Sequence, residues 1–351
     1  MTATSKSTYI IIGAGLSGLH AAFTLHKAGA SDFIILEARD RLGGRVWTQN
    51  GIDFGAVWFQ NHHDTMIALS DELSLTRFHQ FAAGKSVLVY SSMAPAHEFI
   101  TDPNAPSAFR IAGGTQELVK ALADPIRDHI KLQCLVKEVR STTNGVEVVT
   151  AEEVFEAKHV IVALPPRLAN GITYSPLLPE HMHQVMEKTH TWMSNAIKVG
   201  ITFDRPFWRD KGFSGTLIGQ VGAVTELYDH SSEDHTKFSL MGFVNEGLRE
   251  LSAGDRKKRI LNYIATYLGE EVHQFLTYNE KDWSQDRLTS SEKLHSVYLS
   301  PSYGKPEFRQ SYLNNRLHFT GAETSQIHGG YMDGALRSGR LTAQRLLNLK
   351  D

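Results

Sequence analysis

Three glycines, a carboxylate and a cluster of arginines near the start of the chain carry the first chemical signal. Gly13, Gly15 and Gly18 follow the apolar run Tyr9-Ile10-Ile11-Ile12, and Glu37 closes a second run, Phe33-Ile34-Ile35-Leu36. The first glycine permits a tight turn. The second lets the main chain approach a pyrophosphate, and the third lets a helix pack against the strand. Leu16 and Ser17 fall in the first turn of that helix, where unpaired N–H groups and a partial positive charge attract phosphate. Glu37 stands nineteen residues beyond Gly18, placed to accept hydrogen bonds from ribose hydroxyls and to repel a 2′-phosphate. Together they imply a bound dinucleotide.

The elements that position these residues are legible. Two β-branched runs bounded by glycine and acid read as buried strands. Between them Leu16, Leu19 and Phe23 share one helical face, and the helix stops near Gly29. Directly after Glu37 come Ala38 and Arg39, then Asp40-Arg41-Leu42-Gly43-Gly44-Arg45-Val46. The paired glycines Gly43 and Gly44 let the main chain lie against a ligand, while Arg39 and Arg45 supply positive charge near a pyrophosphate.

The rest of the chain bounds the function. Its 351 residues suit about two domains. With 36 basic and 38 acidic side chains it offers no charge excess for nucleic acid or an anionic membrane. The 17 histidines are scattered without zinc-type spacing, so no metal site is expected. The single Cys134 excludes an internal disulfide and fits a reducing, cytoplasmic setting. Leu132-Gln133-Cys134-Leu135-Val136 reads as a strand, with Cys134 a buried structural thiol. No stretch approaches the ~18–20 apolar residues of a membrane span, and no signal-peptide core precedes the first strand.

The segment Glu37 to Arg45 resembles the E-x-x-x-x-x-G-G-R stretch of the flavin amine oxidase family, to which monoamine and polyamine oxidases belong. Further landmarks occur in the family's order: Asp53-Phe54-Gly55-Ala56-Val57-Trp58, Arg110 to Gln116 around Gly113-Gly114, Val160 to Pro166, and Ala196-Ile197-Lys198-Val199. The most specific are His318-Phe319-Thr320-Gly321-Ala322-Glu323-Thr324 and Gly330-Tyr331-Met332-Asp333-Gly334-Ala335. The likeness spans nearly the whole chain and implies FAD. Val136, in Val136-Lys137-Glu138-Val139, resembles the residue whose backbone meets the adenine. Gly321, Glu323, Tyr331 and Met332 form the flavin-end turn, a strand to Thr320 followed by a helix from Tyr331. Lys198 is implied to hold a water at flavin N5, Trp283 to flank the flavin, and Tyr331 to form one wall of an aromatic cage that guides an amine.

Two departures concern the substrate side. The second cage wall is expected a few residues beyond Trp283, but Ser290-Ser291-Glu292-Lys293 holds no aromatic. No cysteine lies there either, so FAD is expected to be non-covalent. Between Gly55 and Gly113 the larger relatives carry helices; here the interval is under 60 residues. It reads as a helix remnant over Leu69 to Arg77, a strand at Ser86 to Tyr90, and a Pro-containing loop from Met93 to Pro106. A more open pocket follows, suited to a bulkier substrate or to closure by a partner or second subunit, a homo-oligomer.

The fold expected is α/β: a discontinuous Rossmann-like FAD-binding domain (1–75, 110–175, 284–351) and a smaller α+β substrate domain with a mixed sheet (76–109, 176–283). In the substrate domain, strands are expected over Ala196–Phe203 and Phe238–Asn245, and a helix over Asp255–Leu268. The favoured reaction is oxidation of an amine C–N bond with molecular oxygen as acceptor. Two alternatives stay open: a flavin oxidoreductase on this scaffold acting on a non-amine (desaturase-like or renalase-like), and a non-catalytic FAD-stabilised partner subunit.

Overall fold

A computed structural model describes residues 5–102, 108–290 and 302–349. Two sheets organise the chain. In the first, Ser5–Ile12 runs parallel to Val154–Val162 on one side and to Phe33–Leu36 on the other, with Ile10 opposite Val160 and Ile34. Leu317–Phe319 extends this sheet, parallel to Val154–Val162. Ile10, Ile11 and Ile12 are all buried, because helices cover one face and a second apolar cluster covers the other. That double burial is why the strand reads as an unbroken apolar run.

The helices Leu16–Lys27 and Met332–Leu347 lie side by side on this sheet. Gly339 permits the approach: a Cβ there would stand 2.1 Å from the Ser17 carbonyl oxygen. Leu16–Lys27 follows the end of Ser5–Ile12 directly, and Met332–Leu347 follows Leu317–Phe319 after a longer connection.

The second sheet orders Thr277–Asp282, Ile197–Phe203, Phe238–Val244, Val224–Asp229, Phe213–Gly219, Lys85–Val89 and His97–Ile100. It is mixed: Phe213–Gly219 pairs parallel with Lys85–Val89 and the other ladders are antiparallel. The helix Ala253–Leu268 buries Ile260, Leu261, Ile264 and Leu268 in the cluster behind it, and the Ser252 hydroxyl caps its start. The mixed two-sheet α/β architecture is the one expected from the sequence.

Three local readings are corrected. Residues 132–136 are not a strand; the next strand begins at Glu138. Gln133 takes a φ of +55°, and its amide and that of Cys134 donate to the Arg39 and Glu37 carbonyls instead of entering a ladder. The helix expected over 69–77 spans Asp64–Glu72; Ser74 at φ +55° ends it, and Arg77 already belongs to the strand Arg77–His79. The loop expected from Met93 to Pro106 contains the strand His97–Ile100, paired with Lys85–Val89. Ser291 to Lys293 lie outside the described residues. Among the described residues, no helix is long and apolar enough to cross a membrane.

Candidate active site

At the nucleotide end, the three glycines do different work. A Cβ on Gly18 would lie 2.0 Å from the Gly13 carbonyl oxygen, so that position is closed by packing. A Cβ on Gly15 would meet nothing within 4 Å: the space over the turn is open. Gly43 docks on the same turn, its amide donating to Ala14 O at 2.9 Å, and Gly15 and Gly43 form a parallel bridge. The helix from Leu16 has Gly15 at its N-cap and no side-chain cap, so its first amides are left for an incoming anion.

Glu37 is buried at the end of its strand. Its two oxygens accept from the Ala14 and Arg39 amides at 2.8 and 2.9 Å, and each keeps a second lone pair for a hydroxyl. Val136 lies just outside the sheet, between Cys134, held by Glu37 O, and Lys137, held by Val149 O. Open space over Gly15, an uncapped helix start and a carboxylate with spare acceptors fit a dinucleotide.

The arginines also have partners within the protein. Arg39 is held by Asp286 at 2.9 Å, by Thr289 at 2.8 Å and by Glu37 at 3.7 Å. Arg45 forms a fork on Glu323 at 2.6 and 2.9 Å and donates to Trp192 O at 2.9 Å. Both charges are therefore neutralised inside the protein, as partly buried guanidinium groups require, and Glu323 serves Arg45. The Ser17 hydroxyl is likewise taken, by Thr320 at 2.8 Å, in a chain that continues through Ser338 to Thr324 and links the start of Leu16–Lys27 to the second turn of Met332–Leu347. Gly321 belongs to this chain through its amide, 3.3 Å from Ser338.

At the other end the structure brings Lys198 and Trp283 onto one short segment. Lys198 Nζ donates to Gly55 O at 2.6 Å and to Asp53 O at 3.3 Å, while Trp283 Nε1 donates to Phe54 O at 2.8 Å. Three consecutive carbonyls are thus gripped from the second sheet and its edge. Lys198 is buried, with the Phe243 and Trp58 rings 4.8 and 5.7 Å from its nitrogen. Burial lowers its pKa from 10.5 to about 7 against the upward pull of Asp53 and Glu226. Asp53 is itself fixed by the Thr115 amide at 2.9 Å and by the Thr48 hydroxyl, and its amide donates to His230.

Tyr331 stands at the N-cap of Met332–Leu347, a helix also without a side-chain cap, and half of its surface is exposed. Its ring lies 5.3 Å from that of His63, on the chain running on from the Asp53–Gly55 carbonyls. Met332 is buried behind it. Sequence reasoning named Lys198, Trp283 and Tyr331 but missed the rings of Trp58 and Phe243 beside the ammonium. Trp58 lay inside a noted landmark; nothing in the sequence pointed to Phe243, which reaches Lys198 by strand pairing.

The model for flavin containing amine oxidoreductases matches residues 16–91 and 77–347. The chain belongs to this family. Like its members it is an enzyme, a flavin-dependent amine oxidoreductase. It is 25% identical to a probable flavin-containing monoamine oxidase A of Dictyostelium discoideum, over 97% of this chain and 98% of that one. It is 26% identical to the putrescine oxidase of Kocuria rosea, over 96% and 94%. A solved structure of wild-type putrescine oxidase bound to putrescine superposes with a TM-score of 0.87 at 25% identity, over 99% of this chain and 100% of that one. The two sequence alignments run to 454 and 455 positions, against 351 residues here, so these family members carry segments that this chain lacks.

Proposed function

We propose that the chain binds FAD non-covalently and oxidises the C–N bond of an amine, with molecular oxygen as the acceptor. The observation that carries the reading is Lys198, buried and held by backbone carbonyls beside Trp283. A flavin bound there supplies a hydride acceptor at N5 and returns its electrons to oxygen as hydrogen peroxide.

The chain's own residues do the rest. Gly15, Gly43, Gly44 and the first amides of Leu16–Lys27 hold the pyrophosphate, Glu37 holds the ribose, and the backbone of Val136 meets the adenine. The start of Met332–Leu347 favours negative charge at the opposite end. Two of the three Nζ positions of Lys198 are committed to Asp53 O and Gly55 O. The third remains for a water, and a pKa of about 7 lets the group hold or release a proton near neutrality. Tyr331 presents an exposed ring to the substrate, and an aromatic face attracts an alkylammonium and orients its carbon chain.

Non-covalent binding is supported by the place of the single cysteine. The Cys134 amide donates to Glu37 O at the ribose end, and burial pushes its thiol pKa up. With putrescine oxidase among the relatives, short diamines head the list of candidate substrates, and the shortened 55–113 interval extends it to bulkier amines. Closure of that open side by a second copy of the chain and a cytoplasmic setting belong to the same proposal. The test is aerobic peroxide release across a panel of mono- and diamines. Amine-dependent peroxide supports the reading, and its absence with every amine, in protein fully loaded with FAD, counts against it.

A further inference from the structure

His62 and His63 precede the helix Asp64–Glu72, and His328 precedes Met332–Leu347. The fold brings these three rings together from opposite ends of the chain. Their centroids stand 4.6 to 5.3 Å apart, and one ligand nitrogen from each lies within 4.8 Å of the other two. Sequence spacing could not show this, because the third histidine comes from the other end of the chain.

We propose that His62, His63 and His328 form a binding site for a divalent transition-metal ion of the Zn2+ class. Each ring supplies one nitrogen, and a fourth position stays open to water. The chemistry of the donors fits. His328 Nδ1 is 2.7 Å from Asp333 Oδ2, and the other oxygen of that buried carboxylate accepts the Met66 amide at 2.8 Å. A carboxylate fixed in this way holds the proton on Nδ1 and aims the Nε2 lone pair outward, the arrangement that orients metal-ligating histidines. His63 is buried, so its ring is held in place beside His328. His62 is exposed and free to rotate inward.

Metal–nitrogen bonds of ~2.0–2.1 Å in a tetrahedral site set the nitrogens roughly 3.3 Å apart. The rings therefore close inward on the ion, with His62 moving most. Ligation through His63 Nε2 shifts the ring proton to Nδ1 and gives up the 3.3 Å bond from the Gln60 amide. A bound ion ties the starts of two helices together one ring away from Tyr331. The site does not depend on amine oxidation.

The test uses the flavin-loaded enzyme with any affinity tag removed. Zn2+ is titrated by calorimetry and Co2+ by visible absorption beyond the flavin band. The site predicts one ion per chain, a Tm that rises with metal concentration, and binding weakened at least roughly tenfold in His62→Ala and in His328→Ala. Asp333→Asn weakens it through the orientation of His328, within the range of roughly 10- to 100-fold. His62→Ala alters an exposed side chain and keeps the variant set interpretable if another member folds poorly. Unchanged affinity in the His62→Ala/His328→Ala double variant, or no saturable binding up to millimolar Zn2+, overturns the proposal.

Discussion

An ammonium placed between Trp58 and Phe243 gives up its hydration, and two carbonyls replace only part of it. For Lys198 this sets both stability and chemistry. Its folded pKa, about 7, lies below the ordinary 10.5. Below pH 7 both folded and unfolded chains carry the proton, and the folded state bears the full burial penalty. As the pH rises from 7 toward 10, the folded chain has released a proton that the unfolded chain still binds, so stability rises. Against Lys198→Met, which has no titration, the wild-type Tm should gain a few degrees between about pH 6 and pH 9. Parallel curves would mean that the lysine is not buried as a titrating group. In stopped-flow experiments the same substitution should slow reoxidation by oxygen at least roughly tenfold while changing reduction by amine less. Equal slowing of both half-reactions would remove Lys198 from the oxygen step.

At the scale of elements, the glycine turn separates packing from binding. Gly18→Ala places a methyl 2.0 Å from the Gly13 carbonyl oxygen and should destabilise the fold by about 1–3 kcal/mol. Gly15→Val fills space that no protein atom occupies. It should leave the unfolding of the flavin-free protein nearly unchanged and weaken FAD binding at least roughly tenfold, a difference of about 1.4 kcal/mol. Thermal melts with and without FAD distinguish the two; loss of apo-protein stability in Gly15→Val would contradict the open cradle. The turn was legible because each of its parts is local: a doubly buried strand, a glycine spacing, a helix face and a terminal acid. Residues 132–136 were misread because one residue, Gln133 at φ +55°, turns an apolar stretch out of the sheet. Lys198 was harder still. Its strand, Ile197–Phe203, is buried along nearly its whole length, so alternation no longer tells an inward side chain from an outward one. Its partners come from Phe243 across the ladder and from Trp58 and the 53–55 carbonyls far away in sequence. The pairings of Arg39 with Asp286 and Arg45 with Glu323 were hidden for the same reason: tertiary contacts alone decide whether an arginine is spent inside the protein.

Across the whole molecule, the first sheet carries the glycine turn and Glu37, while the second delivers Lys198 and, at its edge, Trp283 to the 53–55 carbonyls. The relatives reach the same architecture with longer chains. The proposed non-covalent binding of FAD predicts that acid precipitation leaves all of the flavin in the supernatant and a colourless pellet. Flavin retained in the pellet would contradict non-covalent binding. The central claim, that this fold oxidises amines through its flavin, is tested most directly without oxygen. Flavin-loaded enzyme mixed anaerobically with a panel of amines should lose its visible flavin band with at least one of them. One aldehyde or ketone equivalent should form per flavin, and the band should return on admitting oxygen with one equivalent of peroxide. A band that no amine bleaches, in protein carrying one FAD per chain, would contradict the account.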